Sequence, residues 1–90
     1  MADETQLRLE DLRREIIAAL YARRAGAHEA GTIRSLFLRG QYTQGEVETA
    51  LTDLERFGYV ESIFESELTS IPLYQISAAG ITFKERGFRS

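Results

Sequence analysis

The chain has no cysteine and no tryptophan, and its 90 residues include a single histidine and a single proline. Without cysteine there are no disulfides, no thiol catalysis and no cysteine-ligated zinc, which fits a reducing, cytoplasmic setting. One histidine leaves no Ser-His-Asp arrangement, and a metal site needs three or four convergent ligands. His28, beside Glu29 in a Gly/Ala-rich stretch, therefore reads as a polar loop residue. No glycine-rich loop has the spacing that cradles phosphates. The longest apolar run, Ile16 to Ala22, falls far short of the roughly 20 residues of a bilayer span. The start, Met-Ala-Asp-Glu, is acidic with no apolar stretch behind it, so no signal peptide is expected. These gaps predict a protein that is not an enzyme, carries no cofactor and does not enter a membrane.

What remains has the composition of one small globular domain: 10.2 kDa, 43% hydrophobic, 28% charged, net charge −3. The charge is unevenly spread. Residues 5–43 carry seven arginines against Glu10, Asp11, Glu15 and Glu29, whereas residues 44–70 carry seven acids against Arg56 alone. A whole-chain argument for nucleic-acid binding is missing, and the polarity has to be explained locally.

Hydrophobic periodicity predicts a first helix over about 6–25, where Leu9, Leu12, Ile16 and Leu20 recur at three- and four-residue steps. Ile17 and Tyr21 widen that stripe to roughly half the circumference at about 100° per residue. A stripe this wide suits a central helix, or one that also packs on a second copy as a homodimer. A short second helix is expected over 32–39, with Ile33, Leu36 and Phe37 apolar, Thr32 as N-cap and Gly40 as the stop. Thr43-Gln44-Gly45-Glu46 is a capping box with Tyr42 and Val47 at staple positions. It opens a third helix over 44–57, whose Val47, Ala50, Leu51, Leu54 and Phe57 form one apolar face before Gly58 ends it. Tyr59 to Glu65 and Pro72 to Ser77 have strand composition around a polar loop, a β-hairpin. Ser77 then precedes a short last helix, 78–86, before Gly87. The fold expected is mainly α with one small antiparallel hairpin.

At the residue level, "ALTDLERFGYV" (Ala50 to Val60) resembles the end of a winged-helix recognition helix running into its first wing strand. "YQISAAG" (Tyr74 to Gly80) resembles the segment that closes the wing in regulators of the PadR, MarR and ArsR types. The similarity covers about residues 9–86, the core of a single domain spanning 1–90, and extends more loosely to the small stand-alone winged-helix proteins of Mu-like prophages. The resemblance implies a winged helix-turn-helix and double-stranded DNA as partner, hence transcription regulation of bacterial or phage type. It also implies that the third helix enters the major groove. Gln44, Gly45, Thr49, Thr52 and Arg56 would then face the bases, since arginine pairs bidentately with guanine and threonine meets base edges or thymine methyls.

Phosphate contacts, which dominate affinity, would fall to Arg34 and Arg39 or to Lys84 and Arg86, with Arg13, Arg14, Arg23, Arg24 and Arg89 as further donors. The wing, 61–73, carries Glu61, Glu65 and Glu67 and no base, unlike wings that grip DNA. The alternative is a winged-helix protein-interaction module. Its contact surface would be the acidic 44–70 block and an apolar wing tip of Leu68, Ile71 and Leu73.

Overall fold

The computed structural model describes residues 4–64 and 70–86, with side chains from residue 6 onward. Helix α1 (Glu4–Ala22) is followed by a two-residue strand β1 (His28–Glu29). Helix α2 (Ala30–Thr32) runs directly into a π-helical turn (Ile33–Phe37). Helix α3 (Gln44–Arg56), strands β2 (Val60–Ile63) and β3 (Leu73–Ile76) and helix α4 (Ala78–Glu85) complete the order.

The wide stripe of α1 is explained within one chain. Leu12, Ile16, Ile17 and Leu20 are all essentially inaccessible, because α1 packs against α3, β3, the π-helical turn and α4. It is the central helix. Ile33, Val47, Ala50, Leu51, Val60 and Ile76 complete the core around it, rimmed by half-buried Tyr21, Phe37, Tyr59, Tyr74 and Phe83. Full burial of each leucine, isoleucine or valine among them is worth about 1.5–3 kcal/mol. The helix stops at Ala22, three residues before the expected end. There Arg23 donates to the Ala19 carbonyl and Arg24 to the Tyr21 carbonyl, satisfying acceptors the last turn leaves open.

The second helix differs from expectation. It begins at Ala30, directly after Glu29, which pairs with Leu73 in the sheet; Thr32 lies inside the helix and caps nothing. The Leu38 amide bonds back to Ile33, five residues earlier, and the chain then reverses through Arg39 (φ 55°) and Gly40 (φ 70°). The wider turn rotates Leu36 outward, so it is 70% exposed instead of joining Ile33 in the core.

The third helix starts as its sequence predicts. The Glu46 amide donates to Thr43 Oγ1 at 3.1 Å, and the Thr43 amide donates to Glu46 Oε1 at 2.9 Å. At the other end Gly58 takes φ 86°, where a Cβ is strained, and its amide reaches the Glu55 carbonyl while the Tyr59 amide reaches Leu54. Phe57 was expected on the apolar face, but as the capping residue it is 55% exposed, with the Arg13 guanidinium 5.7 Å from its ring.

The sheet is antiparallel in the order β1-β3-β2, so the hairpin carries a third strand that two residues of no strand character could not announce. Its register places Val60 opposite Ile76 and Ser62 opposite Tyr74 on the inner face. Glu61 faces Gln75, and Ile63 faces Leu73, on the outer face. Ser77 joins three elements. Its amide donates to the Tyr59 carbonyl, its hydroxyl donates to the Gly58 carbonyl, and the same oxygen accepts the Gly80 amide to cap α4.

Candidate nucleic-acid interface

The capping box and the reversal at Gly58 fix where α3 starts and stops, and burial of Val47, Ala50, Leu51 and Leu54 fixes its rotation. At about 100° per residue, the line directly opposite that core is Gly45, Thr49, Thr52 and Arg56. All four are exposed. With Glu48 and Asp53 they line a shallow open groove of about 410 Å³. Arg56 makes no ion pair or hydrogen bond among the described residues: Asp53 is held by Arg13 and Glu48 by Gln44. Gln44 is thereby committed along the helix, its amide nitrogen 2.9 Å from Glu48.

The two flanks of this line differ in charge. On the side toward α1, Glu46 meets Arg8 at 2.7 Å and Asp53 meets Arg13 at 2.6 Å. Arg8, reinforced by the Thr43 amide, holds the Glu46 carboxyl down to about 2. Arg8 also lies over the Tyr42 ring and donates to the Gln41 carbonyl, while the Tyr42 hydroxyl donates to Glu15. Burial, then that carboxylate, push the Tyr42 phenol up to about 12. Two acids of the 44–70 block are thus neutralised by arginines some forty residues earlier, a pairing no local pattern discloses.

The side toward the wing has no such compensation among the described residues. Glu48 and Glu55 take neutral donors, Gln44 and Ser62, so their charge persists. Tyr74 opposite them has its phenol raised by burial and then by Glu55 and Glu48. Between this flank and the wing lies a second groove, of about 530 Å³, whose lining includes Glu29, Gln44, Glu48, Ser70, Ile71 and Tyr74.

The proposed phosphate donors do not converge. Arg34 is half-buried, its Nε donating to the Tyr42 carbonyl at 2.8 Å, beside the start of α3. Arg39 is exposed in the reversal and borders a depression with Glu15 and Gln41. Lys84 lies at the α1–α4 contact, 5.7 Å from the Tyr21 ring, whose hydroxyl bonds Glu85; Arg86 is exposed just beyond. Arg23 covers the Phe37 ring and Arg24 the Tyr21 ring. In the wing, Ile71 is exposed and Leu73 half-buried, whereas Leu68, Glu65 and Glu67 lie outside the described residues, as do Gly87 and Arg89. Sequence reasoning missed Ile63 and Phe64, both exposed; their place at and just past the end of β2 was the only signal.

No protein-family model matches the sequence, and no curated protein does. Among solved structures, the chain is similar to a mutant of MepR from a multidrug-resistant S. aureus clinical isolate. The TM-score is 0.71 at 20% identity, over 84% of this chain and 53% of that one. The fold is a winged helix-turn-helix. In this winged helix, α2 and α3 form the helix-turn-helix and β2–β3 the wing. The chain spans about half the length of the MepR chain it matches. No helix among the described residues is long and apolar enough to cross a membrane.

Proposed function

We propose that the protein is a DNA-binding winged-helix regulator of the MarR type that reads duplex DNA with the exposed line Gly45, Thr49, Thr52 and Arg56. One observation carries this reading: Arg56 stands solvent-exposed and unpaired on the outermost line of α3, between two threonines and a glycine that allows close approach. The likeness to MepR and the Tyr74–Gly80 segment support the regulator assignment. Arg34, next to the start of α3, is the best placed phosphate donor, with Arg39 beyond it. Two-fold pairing of chains would set half-sites about one helical turn apart. Since the α1 stripe is filled internally, a second copy would meet α1 at its first turns, where Leu7 is exposed.

The test is binding to a mixed-sequence duplex pool at about 50 and 200 mM salt, where a reader making six or more phosphate contacts loses on the order of a thousandfold in affinity. At a site selected from that pool, Arg56→Ala costs about 1–3 kcal/mol and relaxes specificity. A folded wild type that binds no duplex even at low salt refutes the proposal.

Exposed Ile63, Phe64 and Ile71 favour a second reading, a protein-interaction module that uses the wing. In that case Ile71→Asp abolishes retention of a co-purifying partner without altering the melting temperature; retention by the variant refutes it.

A further inference from the structure

Building on the DNA-binding reading, we infer that Arg8 and Arg13 of α1 act as charge masks for the recognition helix, screening Glu46 and Asp53 so that the α1 side of α3 can lie against a phosphate backbone. Four acids flank the outward line of α3, and they fall into two pairs with opposite fates. Glu48 and Glu55, toward the wing, keep their charge. Glu46 and Asp53, toward α1, each receive a guanidinium at hydrogen-bonding distance.

The Arg13 geometry is poorly explained by stability. Its Nε is buried with no hydrogen-bond partner, and an ion pair this far out of water loses in desolvation much of what it gains in attraction. Its Nη2 is nevertheless held 2.6 Å from Asp53, and the guanidinium sits against the exposed Phe57 ring, which limits where it can swing. Asp53 lies one residue from Thr52 and three from Arg56, on the rim of the groove those residues share. An uncompensated carboxylate there would repel a passing phosphate within a Debye length, about 8–10 Å at physiological salt. With the mask in place, Arg56 is the one α3 charge on the outer line and its α1 flank without a partner among the described residues. The duplex is then expected to approach over α1 rather than over the acidic wing, which accounts for a wing without bases among its described residues.

The mask makes a prediction that a phosphate-contacting or fold-supporting arginine does not. Arg13→Gln weakens binding to the duplex pool on the order of tenfold, uniformly across sequences, in a protein that stays folded at the assay temperature. Adding Asp53→Asn to that variant restores wild-type affinity, because the charge that needed screening is gone. If the double variant stays as weak as Arg13→Gln, Arg13 contacts DNA itself and the inference fails; if Arg13→Gln binds as wild type, it fails as well. A wild type that binds no duplex overturns the DNA reading and this inference together. Arg8→Gln with and without Glu46→Gln repeats the binding cycle at an independent pair and must give the same pattern of affinities, read on folded protein because Arg8 also stabilises the Glu46 carboxylate.

Discussion

Gly80 offers a sharp test of how the wing is closed. It lies in the first turn of α4, where alanine is intrinsically preferred to glycine by about 1 kcal/mol, so helix propensity alone predicts that Gly80→Ala stabilises. The structure predicts the opposite sign. An alanine Cβ there would sit 2.2 Å from the Tyr59 carbonyl oxygen and 2.7 Å from Ile76 Cγ1. Neither neighbour can readily yield. The Tyr59 carbonyl also accepts the Ser77 amide at 3.0 Å, and Ile76 is buried opposite Val60. Overpacking costs about 1–3 kcal/mol or somewhat more, and contacts this short fall at the upper end, so after the helix gain of about 1 kcal/mol a net loss of about 2 kcal/mol is expected. In a domain this small that lowers the melting temperature by about 8–16 °C, measured by circular dichroism. Gly31→Ala is the control. It is also helical, with nothing within 4 Å of the added methyl, and should hold or raise the melting temperature. A Gly80→Ala protein that melts at or above wild type would refute the close approach of α4 to Tyr59.

Four further outcomes are expected. Ser77→Ala removes a helix cap and leaves the Gly58 carbonyl without its donor, costing about 1–2 kcal/mol in urea unfolding. Because the folded Glu46 carboxyl sits at about 2 against an ordinary 4.5, its stabilisation is complete above pH 4.5 and lost as pH falls toward 2. Glu46→Gln should therefore flatten the acid limb of melting temperature against pH. Leu51→Ala, in the core, costs about 2–5 kcal/mol, while Leu36→Ser on the exposed turn stays within about 0.5 kcal/mol in the same unfolding assay. Gly58→Ala, forced into φ 86°, costs about 1 kcal/mol by the same measure.

Local chemistry made part of this fold legible. The box Thr43–Glu46, the reversal at Gly58 and the alternation of Tyr74 and Ile76 are each decided within a few residues, and the structure realises all of them. The line Gly45, Thr49, Thr52 and Arg56 followed from those boundaries and one period. Features decided by distant partners were not legible. Phe57 fits the apolar period, yet it falls at the cap, where the helix has already turned away from the core. Leu36 fits too, but the π-helical turn rotates it out, and β1 exists only because β3 offers an edge. The acidic block illustrates the same limit: Glu46 and Asp53 look like liabilities until Arg8 and Arg13 are folded onto them.

The strand order leaves β2 at the rim of the sheet, with no neighbour on its outer side among the described residues. Its backbone donors and acceptors there are a template on which another chain could crystallise a fourth strand, and Ile63 and Phe64 would reward it. Glu61 stands in that edge, exposed, its carboxylate held by Gln75 across the hairpin. A charge on such an edge disfavours pairing with a second copy, so Glu61→Val is expected to raise light scattering at high concentration, and unchanged scattering would refute that reasoning.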